Sequence, residues 1–246
     1  MHTITEMINT LNESKLHKTL KTLYAQKEEP CTTESPVGTY IADILTGRGD
    51  IIEIQTTSLA NLVPKITYFL EEKRKVTVVH PLVTTKRIET IDSGTGQKRS
   101  RKSPKHQSIY SLFQELTKFT PFLLNPSFTL EVLEVSIAEE RHTTPEPVQS
   151  GNRRRRIKKS WLKTDKRLLS IERSHRFYGV ASYTALLPST LPSPFTVKEL
   201  TDTLLAQGFK IKRTEANCML WLYVRLGLVA RGTNKGRAYS YFIAKK

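Results

Sequence analysis

The chain has 246 residues, room for one large domain or two compact ones. Lys and Arg outnumber Asp and Glu 39 to 23, a formal net charge of +16 that points to a polyanionic partner. No apolar run of about 18 residues is present to cross a membrane, two cysteines (Cys31 and Cys218) are too few for a disulfide framework, and Met1-His-Thr-Ile-Thr-Glu6 lacks the regions of a signal peptide. The expectation is a cytoplasmic protein whose partner is nucleic acid rather than an anionic membrane surface, with no membrane association.

Leu16, Leu20 and Leu23 fall on one helical face, with Asn12 placed to cap the helix and Glu13 in its first turn. Between Tyr24 and Thr39 no clear strand is read. Thr39–Leu45 and Ile51–Thr56 are β-branched runs around a Gly47–Asp50 turn, the pattern of a β-hairpin. Each run carries one acid among apolar neighbours: Asp43 in Tyr-Ile-Ala-Asp-Ile-Leu, Glu53 in Ile-Ile-Glu-Ile-Gln. Glu53 and Gln55 share a strand face by the period of two. Acids on hairpins are often just a solvated face, but a carboxylate between apolar residues needs a partner or a metal.

Leu59, Leu62, Val63, Ile66, Phe69 and Leu70 predict a helix, and Lys75–His80 a strand ended by Pro81. Residues 92–108 read as a basic loop holding Lys98, Arg99, Arg101, Lys102 and Lys105. Ile109–Phe119 returns to helix and Phe128–Ala138 to strand. Residues 143–152 read as loop, followed by the densest charge run, Arg153, Arg154, Arg155, Arg156, Lys158 and Lys159. Both runs would neutralise phosphates in a salt-dependent way, or else lie free in solvent. Trp161 and Tyr178 beside the second run could stack on bases but read rather as core, and His80 could serve as a base but reads rather as a structural histidine. The Pro-Ser-rich stretch 188–194 is the clearest linker. Beyond it, Thr196 and Glu199 form a capping box, Thr214–Leu226 a second helix ended by Gly227, and 228–242 a hairpin tipped with Lys235 and Arg237.

The order helix, strand, strand, helix, strand, with Glu13, Asp43 and Glu53-Ile54-Gln55 placed along it, resembles the PD-(D/E)XK nuclease superfamily over residues 10–140. The resemblance implies an α/β fold with a restriction-endonuclease-like mixed sheet flanked by helices. It implies a metal-dependent DNA endonuclease in which Asp43, Glu53 and the carbonyl of Ile54 hold Mg²⁺, with Mn²⁺ as a substitute. Glu13 would support the metal, and Gln55 would orient water where the family usually has lysine. Lys65 on the crossover helix is either a displaced counterpart of that lysine or a solvated side chain; Glu34 either lines the site or lies in a loop. Residues 195–246 resemble a winged helix, an α+β unit with Thr214–Leu226 as recognition helix and Lys235 and Arg237 as phosphate contacts. The organisation read is 1–142 nuclease-like, 143–194 basic connector and 195–246 winged helix. A non-catalytic DNA-binding protein on the same fold is the alternative; RNA as substrate and a homodimer fit the same residues.

Overall fold

The structure, a computed structural model, describes residues 13–149, 158–236 and 238–244. Helix α1 spans Lys15–Lys27, and its N-cap Ser14 accepts from the N–H of His17 at 3.3 Å. Glu13 therefore stands just ahead of the helix; Asn12 lies outside the described residues. Seven strands follow: β1 (Cys31–Val37), β2 (Tyr40–Thr46), β3 (Ile51–Ile54), β4 (Val76–Ile91), β5 (Lys98–Lys102), β6 (Phe128–Gln149) and β7 (Lys158–Phe177). They form one mixed sheet in the order β1-β2-β3-β4-β6-β7, with β5 paired to β4 off that path. β4 runs parallel to both β3 and β6, and the other pairs are antiparallel. Helix α2 (Val63–Glu71), entered through a 3-10 turn at Leu59–Leu62, makes the crossover from β3 to β4.

The sheet is covered on both faces. On one, Leu16, Leu20 and Tyr24 of α1 pack on Ile44, Ile52, Ile54, Val79, Val135 and Ile137. On the other, Ile66 and Phe69 of α2 and Phe113 of the short helix α3 (Leu112–Leu116) pack on Ile51, Val78 and Val132. This second core continues into the C-terminal elements: α4 (Gly179–Thr184), β8 (Phe195–Thr196), α5 (Val197–Ala206), α6 (Arg213–Arg225), β9 (Val229–Lys235) and β10 (Ala238–Ile243). Three of them form a small sheet, β8-β10-β9. The α5 capping box is present, with Thr196 N–H to Glu199 at 2.7 Å and Glu199 N–H to Thr196 Oγ1 at 3.2 Å. Gly227, at φ +69°, ends α6. Among the described residues, no helix is long and apolar enough to cross a membrane.

Several elements differ from the sequence expectation. β1 fills the gap between Tyr24 and Thr39. It is an edge strand, which tolerates Pro36 and buries only Ser35, so its sequence carries little apolar signal. Gly38, at φ +60°, turns β1 into β2 where a Cβ would meet the Tyr68 hydroxyl at 1.7 Å. β4 does not stop at Pro81. The carbonyls of Lys75 and Val79 accept from the N–H groups of Ile51 and Gln55, so odd-numbered residues of this stretch turn their backbone toward β3. β3 ends at Ile54, and the missing N–H of Pro81 faces no partner strand. The basic loop at 92–108 contains β5. Its turn is closed by Asp92, whose Oδ1 accepts from Gly94 and Thr95 N–H at 3.0 and 2.9 Å. β6 continues to Gln149 through much of the expected loop, and β7 occupies 158–177, read from sequence as connector. β7 is an edge strand rich in Lys and Arg, a composition that protects an open edge and hides the strand from a hydrophobicity reading.

Candidate active site

β2 and β3 pair at Leu45–Ile51 and Ile44–Ile52, and then the ladder changes character. The N–H of Asp43 donates to Glu53 Oε1 at 3.2 Å, and the N–H of Ile54 donates to Asp43 Oδ2 at 2.8 Å. Each carboxylate thus takes an amide of the opposite strand. Ile51 and Gln55 turn their N–H groups to β4, so the backbone of Ile54 between them turns to β2, and its carbonyl lies on the same side as Asp43. Asp43, Glu53 and the Ile54 carbonyl are brought together as the sequence reading requires.

Glu53 is 1% exposed. Burial first, and the adjacent Asp43 charge second, push its carboxyl up to about 7; Lys65, whose ammonium donates to Glu53 Oε2 at 2.6 Å, opposes them. Asp43 moves the other way. Burial would raise it, but the bond and charge of His17, the Ile54 N–H and the Lys65 charge hold it below the usual carboxylate range. His17 Nε2 stands 3.4 Å from Asp43 Oδ2, and its Nδ1 hydrogen-bonds Glu13. Against the opposing effect of burial, Asp43 and then Glu13 raise the imidazole above its ordinary value. Lys21 completes the chain, 2.7 Å from Glu13 and bonded to Glu34. Glu34 lies on β1 rather than in a loop, at a left-handed φ of 51°, on a groove of about 530 Å³ between α1 and β1. His80 is buried, with Nδ1 2.7 Å from the Gln55 carbonyl, a structural role.

Gln55 falls elsewhere than expected, and Lys65 takes the first of its two expected places. Gln55 donates its amide to the Ser58 carbonyl at 2.8 Å and bonds neither carboxylate. Lys65 is the cation at the carboxylates, on a helix instead of two residues after Glu53. His17 and Lys21, assigned no role from the sequence, carry much of the network. Their signal was the spacing Glu13, His17, Lys21, one residue per helical turn on one face. Among the described residues, no three Asp, Glu, His or Cys side chains are grouped as a metal cage. Two carboxylates and a carbonyl are a sparse set suited to Mg²⁺, which keeps most of its water and shares its site with substrate phosphate. Burial and the neighbouring Asp43 charge, which push Glu53 toward 7, are what a cation there would offset.

The predicted nucleic-acid contacts divide. Lys98, Arg99, Arg101 and Lys102 lie along β5, all exposed, and Lys105 follows it. Lys158 and Lys159 open β7; Arg153, Arg154, Arg155, Arg156 and Arg237 lie outside the described residues. Lys235 is held 2.8 Å from Glu199, which it draws down to about 2. Neither aromatic is core: Tyr178 is 56% exposed, and Trp161 lies under the Arg141 guanidinium at 3.6 Å and the Lys159 ammonium at 4.3 Å.

A mixed sheet covered by helices on both faces, carrying paired carboxylates where two of its strands part, defines an α/β protein with a candidate acid-base site. The chain belongs to the family described as Domain of unknown function (DUF8091), whose model matches residues 14–178, from the cap of α1 to the end of β7. It is also similar to an uncharacterized protein of Treponema pallidum (strain Nichols), at 27% identity over 196 residues covering 80% of this chain and 74% of that protein. No solved structure matches the chain.

Proposed function

We propose that the protein is a metal-dependent DNA endonuclease of PD-(D/E)XK type, with Asp43 and Glu53 as metal ligands and Lys65 as the catalytic cation. The observation that carries the reading is the crossed pair itself: a buried and a half-buried carboxylate on parting strands, one held ionised and the other titrating near neutrality, with a lysine on the buried one. Asp43, Glu53 and the Ile54 carbonyl would hold the ion, and a bound Mg²⁺ supplies Lewis acidity to the phosphate and its attacking water. Lys65 sets a positive charge where the phosphate gains negative charge in the transition state. His17 keeps Asp43 ionised, and Glu13 and Lys21 hold His17 in place. Water oxygen bonds to phosphorus and releases a proton to solvent, the bond to the leaving oxygen breaks, and that oxygen takes a proton from solvent.

The C-terminal elements support a winged-helix reading: α5 and α6 followed by the β9–β10 hairpin. One side of α6 packs on α3, with Phe113 and Tyr223 ring centroids 5.4 Å apart and the Ser111 hydroxyl 2.7 Å from Glu215. The other side leaves Arg213, Asn217 and Trp221 exposed, the last at 46%, to meet nucleic acid.

Labelled duplex, single-stranded and branched DNA incubated with Mg²⁺ or Mn²⁺ tests the reading. Cutting by wild type that Asp43→Asn and Glu53→Gln both abolish, with the fold retained by circular dichroism, is the expected result. A second reading, a DNA-binding protein without catalysis, is favoured by the protein partners the carboxylates already have in Lys65 and His17. It predicts no cutting and DNA affinity indifferent to Mg²⁺ and to both substitutions.

A further inference from the structure

Beyond the carboxylate pair, β4, β5, β6 and β7 continue together as a four-stranded extension whose two faces differ in charge. Residues directly paired across strands share a face. One row reads Arg101, Ile88, Glu139, Lys166 and the next Arg99, Thr90, Arg141, Lys163; the row before them places Lys86 beside Ile137. Ile137 packs under α1, so these rows belong to the face that α1 covers. They hold six cations and one carboxylate. The intervening rows, on the opposite face, hold Lys98, Lys102, Arg87 and Arg167 against Glu89, Glu140 and Asp165, close to balance.

The one acid of the basic face is already consumed. Glu139, buried, accepts from Lys86 at 3.1 Å and from Arg141 Nε at 2.8 Å, with a second bond from Arg141 Nη2. Lys163 and Lys166 lie within hydrogen-bonding reach of each other, two like charges with no ion pair to an acid among the described residues, Glu139 being the charge that favours Lys166. Burial first, then Lys163, pull Lys166 down to about 8. Arg141 has three of its five N–H donors left, and the Trp161 ring beneath it fixes the plane of its fork. The cluster also adjoins the carboxylate site. Asp165 belongs by pairing to the other rows, but on this edge strand its carboxylate reaches α1, where it accepts from the N–H of Lys15 at 3.0 Å and pairs with the Lys15 ammonium at 3.1 Å; His17, only two helical residues on (about 3 Å of rise), contacts Asp43.

We propose that this face binds the sugar-phosphate backbone of nucleic acid. Lys163, Lys166 and the free edge of Arg141 receive phosphates, Lys86 and Glu139 position Arg141, and the strand is held beside Asp43 and Glu53. The substrate class rests on the nuclease reading; the placement of the site does not. Fluorescence anisotropy of labelled duplex DNA and RNA, in EDTA across a salt series, tests it with the full chain. Lys163→Glu and the pair Lys163→Gln/Lys166→Gln should weaken binding about tenfold or more, and the log-log salt slope should fall by about 0.9 for each phosphate no longer neutralised. Lys98→Gln/Lys102→Gln, on the balanced face, should change affinity less than about threefold under the same counterion logic. Trp161→Phe should retain binding and Trp161→Ala weaken it. Equal loss from both faces, no loss from the Lys163 variants, or binding confined to anionic vesicles overturns the proposal. Wild type that binds in this way but cuts nothing leaves the site standing and removes the nuclease; wild type that cuts, with Lys163 variants binding and cutting equally well, does the reverse.

Discussion

The β2–β3 junction and the β4–β7 extension use charge in opposite ways. At the junction each charge is matched: Lys65 on Glu53, His17 on Asp43, Lys21 on Glu13. Water is largely excluded, so desolvation and near neighbours set each protonation state. On the extension, cations outnumber acids on one face, Arg99, Arg101 and Lys163 lie exposed, and the proposed role of the excess is to attract a partner rather than to tune a proton. Removing a charge should therefore cost stability or chemistry at the junction, and affinity at the extension.

The sharpest test of that contrast is Asp43→Asn. The amide oxygen still accepts from Ile54, but no anion remains, so cleavage should fall at least about a hundredfold. Stability should fall less than in Glu53→Ala, which leaves Lys65 without its buried partner. That variant should lose about 3 kcal/mol in urea unfolding. Replacing both, as Glu53→Met with Lys65→Met, should recover stability to within about 1 kcal/mol, because paired apolar residues cost no desolvation, while cleavage stays absent. A double variant as unstable as the single one would mean that the pair is not a unit.

Which side chain takes the place of the family lysine is settled by comparing Lys65→Met with Gln55→Ala. The first should lower the rate about a hundredfold; the second, whose amide already serves Ser58, should change it less than about threefold, a loop effect. The reverse order would return Gln55 to the site.

Protonation gives a smaller effect. Glu53 is raised above its unfolded value, so its contribution to stability is complete below that value and is lost as pH rises through about 7. Mg²⁺ binds the ionised form. The Mg²⁺-induced stabilisation, read from the rise in Tm, should be greater at pH 8 than at pH 6, by up to about 1.4 kcal/mol per pH unit of competition, and Glu53→Gln should remove the difference. A rise in Tm independent of pH would put the ion elsewhere.

Much of the junction was legible in the sequence because strand and helix periods are local. Asp43 and Glu53 among β-branched neighbours identified the hairpin, and Leu59 to Leu70 identified the crossover. Lys65 was visible, but its target was not, since a helix crossing over a sheet reaches a carboxylate twelve residues back only once packing fixes its rotation. β1 and β7 escaped because edge strands bury little, so their residues carry no alternation to read.

The sequence by itself determined the number of charges, the apolar stripes and the acids that sit among them. Tertiary structure decided what those charges do. The run Lys98–Lys102 reads as one basic patch, but as strand β5 it alternates, sending Arg99 and Arg101 to the α1 side and Lys98 and Lys102 to the other. Lys86, Arg141, Lys163 and Lys166 are far apart along the chain and meet only because β4, β6 and β7 pair in one register. Composition adds up charge along a chain; the pleat of a sheet sorts it by face, and only backbone pairing between distant segments sets that sorting.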